Sequence, residues 1–269
     1  MTEPKNARQT GKGRVYEYKG ATYWSVTSII SGGLPQPQLV PWGMRVVAEY
    51  AVANVTRLGK MVRAAGDDPD AQKAAIDWLK GAPYRERDRA SDMGSLIHSR
   101  IESLILGKPQ PVIPPVARPQ LDAFDAFVRD WHPTFEAAEF TVYNRAESYA
   151  GTGDWIATIP GLGRVLGDTK TGKDVYPEAA LQLSAYRNGE FIGLADGTEA
   201  PMPQVDSCAV LHLRPDGYSL VPVVADEEVF RAFLFVREVF RFQESISRRV
   251  VGEALVPPDF AETFPEVAA

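Results

Sequence analysis

Two strand-forming segments, residues 149–159 and 164–169, flank a short run of turn-forming residues, Pro160-Gly161-Leu162-Gly163. Proline restricts the backbone φ angle, and glycine adopts positive φ values that other residues avoid. This run therefore predicts a tight turn. The two segments are therefore predicted to pair as a β-hairpin. This hairpin constrains the fold strongly, because its turn also sets which residues of the two strands lie side by side.

The hairpin register brings two acidic residues together. Asp154 and Asp168 are equidistant from Gly161, and a three-residue loop with Gly163 as a bulge would place them beside each other. Opposed carboxylates destabilise a strand pair by repulsion, and a cation between them removes that repulsion. The spacing therefore predicts a cation site, and a shift of one residue in the turn would abolish it.

A lysine follows on the same strand. Lys170 lies two positions after Asp168, so their side chains share a face, whereas Thr169 points away and leaves its carbonyl near that edge. Carboxylates are ligands that Mg²⁺ prefers, and an added imidazole favours Mn²⁺. Such metals activate water in phosphodiester hydrolysis, and Lys170 would orient or deprotonate that water. The hairpin therefore predicts phosphodiester chemistry.

The imidazole comes from a predicted helix upstream, which Ser91-Asp92 can cap. His98 and Glu102 are four residues apart, so they share one side of this helix. We expect His98 to face the acidic pair. The buried face of the helix carries apolar residues at helical spacing, namely Leu96, Ile97, Ile101, Leu104 and Ile105.

The remaining patterns predict an α/β fold with a mixed central sheet flanked by helices and an N-terminal helical extension. The predicted elements are a hairpin over 15–30 that turns at Lys19-Gly20, a loop over 31–41, helices over 42–59, 71–80 and 120–130, a connector over 109–119, a strand over 140–143, a helix over 177–192, a hairpin of 207–213 with 218–224, and a final helix over 227–251.

The same patterns divide the chain into four predicted regions. These are a flexible tail over 1–13, an N-terminal hairpin and helical region over 14–90, a core over 91–256 and an acidic tail over 257–269.

Composition excludes several classes of protein. The chain of 269 residues has one cysteine, Cys208, which excludes an internal disulfide and a four-cysteine zinc or iron–sulfur site. Its apolar runs fall short of the roughly 20 residues that cross a bilayer, and its start is polar. We therefore expect a cytoplasmic protein without membrane association.

The charge balance limits how the chain can bind nucleic acid. A net charge of −6 argues against a protein that coats DNA by bulk positive charge. A nuclease remains possible, since a bound cation and a local basic groove can offset the balance. The arginines around His98 are either that groove or solvated helix charges, and they are Arg85, Arg87, Arg89 and Arg100.

Three motifs follow one another in a familiar order: Gly153-Asp154, Asp168-Thr169-Lys170 and Gln182-Leu183-Ser184-Ala185-Tyr186. This order resembles the PD-(D/E)xK nuclease superfamily, specifically its RecB-like and phage-type exonuclease branch, in which a helical histidine precedes the core as His98 does here. The resemblance extends over residues 15–250. Gly153 stands where the superfamily name has proline, and the cysteines of the iron–sulfur exonucleases are missing.

The resemblance implies a restriction-endonuclease-like core and a site for one or two Mg²⁺ or Mn²⁺ ions, with no iron–sulfur cluster. It also implies a role for each matching position. The metal ligands would be His98, Asp154, Asp168 and the Thr169 carbonyl; Lys170 would be catalytic together with both aspartates; Gln182 and Tyr186 would contact the substrate; Glu139 would be a further acid, and Glu102 a supporting residue in a salt bridge.

The function implied by the resemblance is a metal-dependent DNA exonuclease. It would act on linear DNA ends in recombination, repair or phage DNA processing, and any recombinase or helicase would be a separate chain. Two alternatives remain: a structure-specific endonuclease with the same site, and a non-catalytic DNA-binding protein on a nuclease fold. A phosphate-binding loop over 167–174 is a poorer interpretation, because Asp174 occupies the position where that loop needs a hydroxyl.

Overall fold

The computed structural model describes residues 6–11 and 13–255. The strands are β1 (Ala7–Thr10), β2 (Gly13–Tyr18), β3 (Ala21–Ser25), β4 (Thr134–Asn144), β5 (Tyr149–Ile159), β6 (Gly163–Lys170), β7 (Phe191–Gly193), β8 (Glu199–Pro201), β9 (Ser207–Arg214) and β10 (Gly217–Val223). The helices are α1 (Val26–Gly33), α2 (Leu39–Ala53), α3 (Val55–Ala65), α4 (Pro69–Lys80), α5 (Ala82–Ile105), α6 (Arg118–Trp131), α7 (Glu178–Arg187) and α8 (Glu227–Glu244). This confirms the predicted α/β class.

The strands form one mixed sheet that is largely antiparallel, and β5 lies at its branch point. One edge of β5 pairs with β4 along nearly its whole length. Its other edge pairs with β3 at Tyr149 and Ala150 and with β6 from Trp155 to Ile159. The short stretch between these two partners, residues 151–154, is therefore left open on that edge. Asp154 lies at the end of this opening, where β6 begins to pair with β5.

Helices cover both faces of the sheet. Successive residues of β5 point to opposite sides, so neighbouring residues of this strand pack against different helices. Ile156 packs into a core with α1, α7 and α8, which includes Leu183 and Phe233. Trp155 packs into a second core with α5 and α6, which includes Ile97 and Phe127. The helix that carries the predicted histidine and the helix that carries the predicted substrate contacts thus lie on opposite faces.

The predicted hairpin of β5 and β6 is confirmed with its register. Ile159 pairs with Gly163, and the ladder continues to the pair of Trp155 with Gly167. The three-residue loop is closed by the amide of Leu162, which donates to the Ile159 carbonyl at 3.0 Å. Gly161 and Gly163 have φ values of +81° and +73°, which a residue with a Cβ rarely adopts. The next positions in this register are Asp154 and Asp168.

The N-terminal part of the chain is more ordered than expected. Residues 7–10, predicted as part of a flexible tail, form β1 and pair with β2. The segment from Val26 to Gly33, predicted partly as strand and partly as loop, is the helix α1. Its apolar residues at positions 26, 29 and 30 follow a helical spacing, and this helix packs against α8. The loop predicted over 31–41 ends early, because α2 begins at Leu39.

Several helix boundaries also differ from the predictions. The helix that carries His98 begins at Ala82, with Pro83 in its first turn, so Ser91-Asp92 lies inside it and does not cap it. It therefore runs across the boundary between residues 90 and 91, where the core was expected to begin. The helix α7 ends at Arg187, where Asn188 bonds back to the Ser184 carbonyl, and β7 follows.

The C-terminal helix α8 ends at Glu244, short of the predicted 251, and a 3-10 turn follows over Ile246–Arg249. The predicted acidic tail over 257–269 lies outside the described residues. Within residues 6–11 and 13–255, every helix is too short or too polar to cross a membrane.

Candidate active site

A cavity of about 550 Å³ opens beside the exposed edge of β5. Its walls include the hairpin of β1 and β2, the strands β4, β5 and β6, and the helices α5 and α7. Among its lining residues are Gln9, Arg14, Tyr16, Ser95, His98, Ser99, Glu139, Thr152, Asp154, Asp168, Lys170, Gln182 and Tyr186. The structure thus brings seven of the nine predicted site residues, Glu139 among them, into one cavity.

Asp154 is held by the neighbouring strand. Its Oδ2 accepts a hydrogen bond from the backbone N–H of Thr169 at 2.6 Å. The same oxygen lies 3.4 Å from Nδ1 of His98. Burial alone would raise the pKa of Asp154, but His98 and the Thr169 amide lower it below its usual value. Asp154 is therefore an anion in a largely buried position.

His98 reaches the cavity from α5 and faces two carboxylates. Its Nδ1 lies 3.4 Å from Asp154 and 3.9 Å from Oε1 of Glu139. Burial alone would lower the pKa of His98, but Asp154 and Glu139 outweigh it and raise the pKa well above its usual value. The imidazole is therefore protonated around neutral pH.

Glu139 enters the site through an irregularity in β4. It lies between two residues that pair with β5, since Ala138 opposes Trp155 and Phe140 opposes Gly153. Its φ is +48°, a left-handed conformation that costs a non-glycine residue about 1–3 kcal/mol. Burial raises the pKa of Glu139, and His98 only partly opposes that rise. Strain and desolvation are both tolerated at this carboxylate.

Asp168, Lys170 and Gln182 form a second cluster. Oδ1 of Asp168 accepts hydrogen bonds from Nζ of Lys170 at 3.0 Å and from Nε2 of Gln182 at 2.8 Å. Nζ of Lys170 also lies 3.3 Å from Oε1 of Gln182. Burial raises the pKa of Asp168 to about 6, and Lys170 opposes the rise. Burial alone would lower the pKa of Lys170, but Asp168 and Asp154 raise it.

The second oxygen of Asp168 lacks a donor. Oδ2 is buried and accepts no hydrogen bond in the described part of the chain, although Nζ of Lys170 lies 2.8 Å away. The short distance is an ionic contact without hydrogen-bonding geometry. A buried carboxylate oxygen without a donor is costly, so this atom has capacity for a further positive partner.

Gln182 and Tyr186 lie one turn apart on α7. Their side chains are only weakly connected, since Nε2 of Gln182 lies 3.4 Å from the Tyr186 hydroxyl. Tyr186 is 2% exposed, and its ring packs against Gly151 so closely that a Cβ there would overlap it. Burial raises the pKa of Tyr186 well above its usual value. Its surroundings are those of a packed core residue at the cavity wall.

Two predicted residues lie at the margin of the site. Thr169 is buried; its amide binds Asp154, and its hydroxyl accepts from Nε1 of Trp155 at 3.1 Å. Glu102 is outside the cavity lining and forms the expected salt bridge, with Nζ of Lys108 at 2.8 Å. Thr169 thus acts on Asp154 through its N–H.

The arginines proposed as a basic groove are largely engaged elsewhere. Arg87 pairs with Asp88 at 2.9 Å, and Arg89 pairs with Glu86 at 3.3 Å. Arg85 stacks over the Tyr50 ring at 4.9 Å. These contacts favour the interpretation of solvated helix charges for these three residues.

Sequence reasoning missed the polar residues that the first hairpin contributes. Gln9 and Arg14 lie in the cavity wall, and the hydroxyl of Tyr16 is 3.0 Å from Oγ1 of Thr152. Alternation along β2 places Arg14 and Tyr16 on one face. That pattern identifies the face but does not indicate which part of the chain it meets.

The donor set suits a divalent cation. His98, Glu139 and Asp154 each offer a ligand atom, and these three atoms lie within 4.8 Å of one another. Two carboxylates and an imidazole are ligands that accept Mn²⁺ or Mg²⁺. The unsatisfied Oδ2 of Asp168 adds a further oxygen in the same cavity. The residues present therefore fit such an ion.

Searches with protein-family models and among curated proteins found no match to this chain.

Proposed function

We propose that this chain is a metal-dependent deoxyribonuclease that hydrolyses phosphodiester bonds, with DNA ends as its first candidate substrate. One observation carries the proposal: the cluster of His98, Glu139 and Asp154 and the cluster of Asp168 and Lys170 line the same cavity. The first cluster suits a divalent cation, and the second adds a carboxylate and a fixed ammonium beside it. This combination matches the needs of phosphodiester hydrolysis.

The ion would be held by His98, Glu139 and Asp154, with Asp168 contributing from the neighbouring strand. When bound, Mg²⁺ or Mn²⁺ lowers the pKa of water and offsets charge on phosphoryl oxygens. The surroundings prepare these ligands in advance, since the Thr169 amide fixes one oxygen of Asp154. Glu139, expected from sequence only as a further acid, joins the proposed ligand set.

Lys170 is proposed to act as a proton donor in hydrogen bonds. Its raised pKa keeps the ammonium charged, and its contacts with Asp168 and Gln182 fix the position of Nζ. A charged ammonium can orient the lone pair of an attacking water and offset the negative charge that develops on the phosphate. It does not remove the proton of that water while it stays charged.

Gln182 is proposed to position the catalytic pair. Its amide nitrogen donates to Asp168 and its amide oxygen faces Lys170, so one side chain orients both. The amide cannot titrate, and it therefore keeps this arrangement across the pH range. Gln182 also lines the cavity, where a substrate strand would lie.

The test is cleavage of end-labelled linear DNA and of closed circular DNA, each with Mg²⁺, Mn²⁺ or EDTA. We expect metal-dependent loss of linear DNA by the wild type and at least about a hundredfold slower loss with Lys170→Ala. Lys80→Ala is the matched control, because Lys80 is an exposed lysine paired with Asp77 on α4 and lies outside the cavity lining.

Each outcome of this assay selects one function. Loss of linear DNA alone supports an exonuclease, whereas nicking of the circle supports an endonuclease with the same site. If the folded wild type cuts neither substrate with either metal, the proposal of a nuclease fails, and a non-catalytic DNA-binding role takes its place.

A further inference from the structure

The hairpin of β1 and β2 presents one polar face to the cavity. Gln9 pairs with Arg14 and Ala7 pairs with Tyr16 across this hairpin, so these four side chains share a face. All four line the cavity that holds the acidic clusters. The opposite face carries Arg8 and Glu17, which pair with each other at 2.8 Å. The hairpin therefore has an inward and an outward arginine.

The side chain of Arg14, the inward arginine, has no polar partner among the described residues. Within residues 6–11 and 13–255, the guanidinium of Arg14 makes no hydrogen bond or ion pair, whereas its backbone N–H donates to Oγ of Ser28 at 2.8 Å. The backbone of Arg14 is thus fixed while its side chain is available. Arg14 is only partly exposed, so an unpaired charge at this position carries a desolvation cost that a ligand can offset.

The hairpin is attached close to the acidic residues. The hydroxyl of Tyr16 lies 3.0 Å from Oγ1 of Thr152, and Thr152 precedes Asp154 by two positions on β5. Residues two apart on a strand face the same way, so this contact joins the face of Arg14 to the face of Asp154. Tyr16 is almost fully buried, which makes the attachment a packed contact.

The charges of the cavity indicate what Arg14 would bind. Three carboxylates, from Glu139, Asp154 and Asp168, line the cavity, and the fixed cations are Lys170 and Arg14. Protonated His98 is a third cation, so without an ion the charges balance, and a divalent cation in place of the His98 proton makes the cavity positive. The ligand that completes the site is then an anion with several acceptor oxygens, and a guanidinium fork matches such an anion in geometry.

We infer that Arg14, assisted by Gln9, binds a phosphate group of the nucleic-acid strand that occupies the cavity. This inference rests on the proposed function, because it assumes that the cavity holds a phosphodiester. The phosphate is either an internal diester or a terminal monoester; both offer the same oxygens to a guanidinium. In either case β1 and β2 form part of the substrate site, outside the motifs of the catalytic strands.

Binding of a short fluorescein-labelled single-stranded oligonucleotide in Ca²⁺ tests the inference, with a gel to verify that the strand stays intact. Arg14→Gln should weaken binding about tenfold and should lower the slope of log Kd against log salt by about one. Arg14→Lys should recover the salt slope and only part of the affinity. Arg8→Gln is the matched control, since it removes the outward arginine of the same hairpin.

Oligonucleotides with and without terminal phosphates distinguish the two sources. A loss of affinity confined to the phosphorylated strand identifies a terminal monoester, and an equal loss on both strands identifies an internal diester. The inference is overturned if Arg14→Gln binds like the wild type, or if Arg8→Gln loses as much affinity. Thermal unfolding of each variant shows whether the hairpin is still folded.

Failure of this inference and failure of the proposed function give different results. A wild type that cleaves DNA, with Arg14→Gln binding and cleaving equally well, refutes only the role of Arg14. A wild type that binds the strand through Arg14 but never cleaves it refutes the nuclease and leaves a phosphate-binding site.

Discussion

The backbone N–H of Thr169 donates to Oδ2 of Asp154 at 2.6 Å, so β6 fixes the carboxylate that faces His98. This contact forms where the ladder between β5 and β6 stops, one position beyond the pair of Trp155 with Gly167. The side chain of Asp154 thus accepts the hydrogen bond from Thr169, in place of the backbone carbonyl that would accept it if the ladder continued. The hairpin itself orients the carboxylate that we propose as a ligand.

Asp154→Asn should remove the negative charge of Asp154 and keep the hydrogen bond that it accepts from Thr169. The amide oxygen of asparagine can still accept from Thr169, but the attraction for a cation and for the His98 proton is lost. We expect Mn²⁺ affinity to fall at least about tenfold and the pKa of His98 to fall. Calorimetry measures the first change, and NMR titration of the 3 histidines measures the second.

Asp122→Asn is the control for this substitution, because Asp122 is an exposed carboxylate paired with Arg118 on α6. Unchanged Mn²⁺ affinity in Asp154→Asn, with an unchanged His98 titration, would remove Asp154 from the ligand set.

Asp168 should give the metal-free protein a distinctive pH dependence. Burial raises its pKa from 3.8 to about 6; Lys170 opposes this rise and Asp154 adds to it. Because folding raises the pKa, the stability that this group contributes is complete below 3.8 and is lost as the pH rises towards about 6. Relative to Asp168→Asn, the wild type in EDTA should therefore be more stable at about pH 4 than at about pH 7.

Urea unfolding of both proteins at several pH values measures this difference. The two proteins share all other carboxylates. The difference between their free energies of unfolding therefore excludes the effect of carboxylates elsewhere in the chain that titrate in the opposite sense. Added Mn²⁺ should restore the stability of the wild type at the higher pH, since a cation binds the deprotonated carboxylate. A wild-type-minus-variant difference that stays constant with pH would show that Asp168 is not desolvated in the folded protein.

Tyr186 should prove to be a packing residue. Its ring is 2% exposed and lies against Gly151, while the hydrogen bond that its hydroxyl makes within residues 6–11 and 13–255 is the long one of 3.4 Å to Gln182. We expect Tyr186→Ala to lower the free energy of unfolding by about 3–5 kcal/mol. Tyr186→Phe should keep both stability and cleavage close to those of the wild type. Loss of cleavage in a stable Tyr186→Phe would instead indicate a substrate contact through the hydroxyl.

The part of the site built from local patterns could be predicted from sequence. The turn at Gly161 and Gly163 needs left-handed backbone, so glycine at both positions specified the loop and, through it, the register of Asp154 with Asp168. The two-residue spacing of Asp168 and Lys170 likewise fixed their common face. His98 was correctly placed on a helix, although that helix begins nine residues before the predicted cap.

The part built from long-range pairing could not be predicted. Arg14 enters the cavity because β3 pairs in parallel with the start of β5, a contact between distant parts of the chain. Glu139 was predicted only as an accessory acid, because an alternating strand gives no sign of the left-handed residue that occurs there. The positions of Arg14 and Glu139 depend on tertiary contacts that leave no periodic signal in the sequence.

A substitution at Gly153 tests whether the residue before Asp154 must lack a side chain. The motif that this segment resembles in sequence has proline at this position, but β4 places Phe140 opposite Gly153, and a Cβ at 153 would overlap the Phe140 ring. We expect Gly153→Ala to destabilise the fold by about 1–3 kcal/mol, because the ring must move within a packed core. It should also reduce Mn²⁺ affinity, since Glu139 adjoins Phe140 and would move with it.

Gly172→Ala is the matched control, because a Cβ at Gly172 meets no atom within 4 Å. Chemical denaturation and Mn²⁺ titration of both variants provide the comparison. If Gly153→Ala is as stable as Gly172→Ala and binds Mn²⁺ like the wild type, then Phe140 can relax without disturbing Glu139. The glycine would then be dispensable, and the left-handed conformation of Glu139 would have to be maintained by its own contacts with His98 rather than by the packing of β4 on β5.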